Sequence, residues 1–320
     1  MKKILLSAAV VITILSCQND STDSASPTTN AISKRGCASQ EVLEAQMIAD
    51  PTLAIRMNEI EAFTQNTISK SNFRLVSGKI VIPVVVNVLY RTAAENISDA
   101  RIQSQIDVLN KDFTAANPDY NSIPALFTGV AANVDITFEL VTINRIATKK
   151  RSWGTTSAVK TTSLGGINPT SPSTNLNFWV CTIGGGILGY AQFPGGPAAT
   201  DGVVCDSKYV GVTSNTGGAY PYNLGRTTTH EVGHWMNLRH IWGDTTCGSD
   251  LVSDTPTHNT ANYGVPIYPH LSTCSGTPVE MTMNYMDYTD DRGMYMFTLG
   301  QKARMSAIFF AGGARAGFGI

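Results

Sequence analysis

His230-Glu231-Val232-Gly233-His234-Trp235-Met236-Asn237-Leu238-Arg239-His240 carries the densest chemistry in the chain, and three of its five histidines fall inside it. On a helix, positions i and i+4 share a face, so His230 and His234 can offer imidazole nitrogens to one ion at about 2.0–2.1 Å. Glu231 follows the first ligand and stands beside the ion without binding it, where a carboxylate can take a proton from water and return it to a leaving amine. His240 lies too far along to share that face of a straight helix. The chain must break and turn back near Asn237, a residue that adopts the left-handed conformation more readily than most. Three neutral imidazoles leave the fourth tetrahedral position open, the arrangement of a catalytic zinc site. Function is therefore expected here, with Zn²⁺ as cofactor.

Working outward, the pattern His-Glu-x-x-His-x-x-x-x-x-His resembles the extended zinc signature of the metzincin metalloproteases, with Asn237 where the usual pattern has Gly. Asn284-Tyr285-Met286-Asp287-Tyr288 looks like their Met-turn, and His240-Ile241-Trp242-Gly243-Asp244 extends the zinc segment as in the pappalysin family. The resemblance spans roughly 79–315 and is strongest over 227–304. It implies an α+β metzincin-type catalytic domain: a twisted mixed sheet with a backing helix and the active-site helix above a cleft, and an irregular lower subdomain with a C-terminal helix. By position it makes Met286 a pedestal under the metal and gives Tyr288 a hydroxyl near the zinc that stabilises the oxyanion. It makes Asp290 and Asp291 lining for the pocket that takes the side chain after the scissile bond, with Arg or Lys preferred. The expected activity is that of a zinc endopeptidase on proteins or peptides. The family often binds structural Ca²⁺ near the acidic loop Asp244, Asp250 and Asp254; only Asp254 is named here as a ligand. Thr298-Leu299-Gly300-Gln301 reads as a capping box opening the terminal helix.

Upstream, Ile80 to Tyr90 is β-branched and too apolar for a surface loop, and Pro83 within it predicts an edge or a bulge. Ser98 is a good N-cap for a helix to Phe113 with Ile102, Ile106 and Leu109 on its inner face. Strands are expected at 134–141, 175–183 and 202–210, separated by Gly- and Pro-rich turns. The catalytic domain is taken as 79–320.

Ahead of it, Lys2 and Lys3 precede an apolar run from Ile4 to Leu15, too short to span a membrane but suited to an export signal over 1–16. Ile14-Leu15-Ser16-Cys17 resembles a bacterial lipoprotein box with Cys17 acylated; ordinary cleavage beside a chance Cys is the alternative. Both export the chain to the cell envelope or medium. Residues 17–39 are assigned to a polar tether and 40–78 to a pro-segment whose spaced apolar positions suit one or two helices. Its removal needs a cut between about Thr64 and Lys79, with Lys70, Arg74 and Lys79 as basic candidates.

With 23 Lys+Arg against 24 Asp+Glu and no long single-sign block, nothing favours nucleic acid as a partner. The only membrane association expected is the lipid anchor, and the chain is expected to be a monomer. Of six cysteines, Cys181 with Cys205 and Cys247 with Cys274 are the expected disulfides, the second pair also matching the family pattern. Cys37, in Lys34-Arg35-Gly36-Cys37, is then the odd thiol, suited to the fourth zinc position in a latent proenzyme. A free or intermolecularly bridged Cys37 is the competing reading. Two other functions use the same residues: a surface lipoprotein that binds glycan or protein without turnover, and a zinc hydrolase of a non-peptide amide or ester.

Overall fold

The computed structural model describes residues 34–70, 80–214 and 218–318. The export signal, Cys17, most of the tether, Arg74 and Lys79 lie outside them. Lys70 is the last residue of a described helix.

The body is built on one sheet of strands β1 (Ile80–Tyr90), β3 (Ile136–Ala147), β4 (Leu176–Cys181), β5 (Gly189–Ala191) and β6 (Val203–Asp206), in the order β3-β1-β4-β6-β5. The first four in this order pair in parallel, and β5 closes the edge antiparallel to β6. Two-residue strands β2 (Ala131–Ala132) and β7 (Phe297–Thr298) form a separate antiparallel pair. β1 is central, not an edge. Its pairing with β4 begins only at Val84, and the register with β3 shifts between Val84 and Val85, so Pro83 sits where the ladder is open on one side.

Side chains alternate across the sheet, as period two requires. One face packs Val84, Val86, Phe178, Val180 and Val203 against helix α3 (Asp99–Phe113) and helix α4 (Arg226–Trp235). The opposite face carries Leu89, Trp179 and Val204 against Trp153 and Val159. Ser98 caps α3, its hydroxyl accepting from Arg101 N–H at 3.2 Å. Helix α5 (Leu299–Ala307) opens with the expected reciprocal capping box between Thr298 and Gln301. Preceding β1, α1 (Ser39–Ala49) and α2 (Thr52–Lys70) are two helices where the spaced apolar positions suit one or two.

Two expectations need correction. Cys181 and Cys205 are both free thiols. They lie on neighbouring strands, but Cys205 is in register with Val180 and Cys181 with Asp206, so their side chains leave the sheet on opposite faces and no rotamer brings the sulfurs together. The stretch 34–39, placed with the tether by composition, is instead packed into the body, with Arg35, Cys37 and Ser39 buried. Its side chains find specific partners there, which average composition does not register.

Cys247 and Cys274 are bonded across a loop of sequence separation 27. That loop has little regular structure of its own. Replacing both with Ser is expected to lower the unfolding free energy by about 2–4 kcal/mol, read from chemical denaturation; an unchanged midpoint would show that other contacts hold the loop.

Candidate active site

Helix α4 delivers the first two histidines. Its N-terminus is held by Arg226, whose guanidinium binds both oxygens of Asp119, and by Thr229, whose hydroxyl donates to Asp112 at 2.8 Å. The helix ends at Trp235. Asn237 then takes φ 73°, the left-handed turn required to bring His240 back. Its carbonyl accepts from Arg304 Nε at 2.7 Å, which secures the turn from α5.

The imidazoles converge. The Nε2 atoms of His230 and His240 each lie 3.1 Å from His234 Nε2. Each Nδ1 faces an acceptor: the Tyr285 carbonyl at 2.7 Å, the Leu238 carbonyl at 2.8 Å and the Asp244 carboxylate at 2.5 Å, for His230, His234 and His240 respectively. Those acceptors assign the proton to Nδ1 in every ring and leave three lone pairs pointing at one another. Three buried lone pairs at such distances repel unless a cation lies between them. Nitrogens at about 2.05 Å from a tetrahedral zinc would be about 3.3 Å apart, close to what is found. Burial, followed by the neighbouring His234 and His240, holds His230 well below its ordinary pKa, and burial with His240 lowers His234 to about 3. His230 and His234 are therefore neutral and ready to coordinate.

The fourth donor is Cys37. Its sulfur and the histidine nitrogens all lie within 4.8 Å of one another, the only such group of metal-ligating side chains among the described residues. Burial and Glu231 push its thiol well above the usual range, so a thiolate here depends on a cation's charge. The residues present thus fit a zinc ion in a buried His₃Cys cage.

Glu231 points to the same place. Its Oε2 accepts from Ser39 Oγ at 2.8 Å and faces Cys37 Sγ at 3.3 Å; burial raises its carboxyl to about 8. Glycine at 189 makes room for it, since a Cβ there would lie 2.9 Å from Glu231 Cγ. Met286 lies fully buried under α4, and a Cβ on Gly233 would meet its sulfur at 2.5 Å. The Tyr288 ring packs on His240 at 4.9 Å, and its hydroxyl donates to the Cys37 carbonyl at 3.1 Å.

The two acidic candidates separate. Asp291 accepts from Arg35 at 2.5 Å in a fully buried ion pair, while its other oxygen accepts from Leu224 N–H. Arg35 also donates to the Thr289 carbonyl and stacks over Tyr222. Asp290 has no direct contact with that guanidinium among the hydrogen bonds described. Asp254 accepts from Thr298 Oγ1 at 2.6 Å and from Gly300 N–H at 2.8 Å, so its carboxylate caps α5 rather than joining a cluster of acidic donors. Sequence reasoning missed Arg35, Ser39, Gly189, Gly233 and the orienting role of Asp244. A glycine inside a short apolar run signals close backbone approach, and Leu188-Gly189-Tyr190 carried that signal.

A curated extracellular metalloprotease of Pyricularia oryzae is 34% identical over 274 residues, covering 85% of this chain and 86% of its own length. The Peptidase_M43 family model, described as Pregnancy-associated plasma protein-A, matches residues 185–309. The chain belongs to the pappalysin family of metalloendopeptidases. Among solved structures, a Tannerella forsythia promirolysin mutant superposes with TM-score 0.80 at 39% identity, covering 89% of this chain and 97% of its own. Mature mirolysin of the same organism, in complex with a cleaved peptide, gives TM-score 0.72 at 42% identity, covering 76% and 96%. The family implies zinc, and the His₃Cys group fits a metal site.

Proposed function

We propose that this pappalysin is an exported zinc endopeptidase made as a latent proenzyme, with Cys37 as the blocking ligand and Asp291 selecting Arg or Lys after the scissile bond. The observation that carries the reading is the placement of one short segment. Cys37 joins the three histidines while Arg35, two residues away, fills the Asp291 pocket. The chain's own residues thereby occupy the metal position and the specificity pocket together. The likeness to promirolysin takes in more of the chain than the likeness to mature mirolysin, consistent with a segment ahead of β1 that is removed. The relatives' extracellular naming supports export, with Cys17 as the proposed lipid attachment.

His230, His234 and His240 would hold zinc, which when bound supplies the Lewis acidity that activates water and polarises the scissile carbonyl. Glu231 takes the proton of the attacking water and gives it to the leaving amine. Ser39 and Cys37 block that carboxylate in the latent form. Tyr288 donates to the carbonyl oxygen as charge develops there; in the latent chain the Cys37 carbonyl takes this bond. Met286 supports the site from beneath.

Cys37→Ala removes the sulfur but keeps Arg35 on Asp291, so latency is weakened rather than abolished. Full-length Cys37→Ala is expected to cleave a mixed peptide library about tenfold or more faster than full-length wild type, sensitive to a zinc chelator. Equal inactivity of the two would reject the switch. Absence of cutting after limited trypsin treatment, with zinc bound, would favour a binding protein or non-peptide hydrolase.

A further inference from the structure

Helix α2 makes one contact that latency at the metal does not require. Glu61 forms a two-pronged ion pair with Arg304 of α5, Oε1 to one terminal nitrogen at 2.9 Å and Oε2 to the other at 2.5 Å. Arg304 is almost completely buried, and its third donor is already committed to the Asn237 carbonyl. The Nε bond to Asn237 orients the planar fork toward Glu61. A second guanidinium, Arg239, lies close enough to act on both Glu61 and Arg304. The body's own acids nearby are engaged: Asp250 accepts from Thr255 and Val252, and Asp244 holds His240. Among the described residues, Glu61 is the one carboxylate that hydrogen-bonds to the fork, and it belongs to the segment proposed to leave.

We propose that Arg304, with Arg239 beside it, is a carboxylate-binding subsite of the mature enzyme that takes an acidic side chain of the polypeptide substrate on the side before the scissile bond. The inference rests on the proposed removal of the segment ending near Lys70 and on Arg35 marking the opposite side of the metal. From Cys37 the chain runs away from the Asp291 pocket into α1, where Leu43, with Leu53 of α2, packs on Phe193; the Phe193 ring lies 5.2 Å from that of His234. Leu53 to Glu61 is eight residues of helix, about 12 Å at 1.5 Å per residue. An extended substrate spans that distance in about four residues at about 3.3 Å each. The preferred acidic position is thus the third to fifth before the cut. α2 lies close against the body along this path: Arg56 Nε donates to the Gly195 carbonyl at 2.9 Å, and any side chain at Gly195 would meet Ile60.

The test uses the full-length chain activated by limited trypsin treatment. Fluorogenic peptides carry Arg after the scissile bond and a single Glu or Gln walked from two to six positions before it. Glu in the third to fifth position is expected to raise kcat/KM at least fivefold over Gln, through KM, and the gain should vanish in Arg304→Gln and shrink in Arg239→Gln. A Glu/Gln ratio near one at every position, or a preference that persists in Arg304→Gln, overturns the proposal. Binding is read separately by fluorescence anisotropy on activated Glu231→Ala, using a labelled Thr52–Lys70 peptide and its Glu61→Gln form. The altered peptide should bind about tenfold more weakly; equal binding of the two overturns the proposal, and needs no change at Arg304. Loss of all cutting would sink the protease reading, while the anisotropy comparison would still report on the Arg304 subsite.

Discussion

Glu231→Ala, in the trypsin-activated chain, is expected to lose between about 10² and 10⁴ in kcat, with its zinc content unchanged. The carboxylate is not one of the converging donors, so removing it leaves the three imidazoles and their Nδ1 acceptors as they are. What disappears is the base. Burial raises this carboxyl to about 8 even with Ser39 and Cys37 against it, because its surroundings resist an unpaired charge. Steady-state cleavage of a peptide library alongside metal analysis separates the two effects. Retained turnover would assign the proton transfer to another group; loss of zinc would mean that the substitution had disturbed α4.

Asp291→Asn should change which bonds are cut rather than whether cutting occurs. The replacement keeps an oxygen for the Leu224 N–H and presents an amide where Arg35 now finds a charge. Both partners of that pair are buried, so the attraction is not screened by solvent as a surface pair would be. Losing one charge of a buried, hydrogen-bonded pair costs about 3 kcal/mol, or about 10²-fold. Peptides with Arg after the scissile bond should fall in kcat/KM by that factor in the activated variant, and peptides with Leu there should change by no more than about threefold. Comparable rates for Arg and Leu in the wild type would reject the pocket altogether.

The metal site was legible because ligand spacing is a property of covalent order: His230, His234 and His240 lie on one short stretch and Asn237 marks the turn between them. The capping boundaries at Ser98 and Thr298 were legible for the same local reason. The strand β5 was not, because three residues are too few to show a period, and its glycine read as part of a turn. The mistaken Cys181–Cys205 pairing came from a quantity no single strand carries, the register between two of them, where one residue reverses the face. Arg35 with Asp291, and Glu61 with Arg304, join positions more than two hundred residues apart, and an Arg in a polar stretch looks the same whether it is solvated or buried.

At the rim of the sheet, the segment around Cys37 adds a partial extra strand: Ala38 N–H donates to the Gly189 carbonyl, and Leu188 N–H to that of Gly36. With the segment gone, β5 would present bare peptide groups to solvent, a template that any extended chain can pair with whatever its side chains. Such an edge gives a secreted hydrolase breadth, since main-chain bonds grip every unfolded stretch alike. It is also a hazard during export, when many copies are crowded and incompletely folded. The segment around Cys37 would then also guard this edge against self-association, and a chain produced without residues 34–39 should aggregate more readily than one that sheds them after folding.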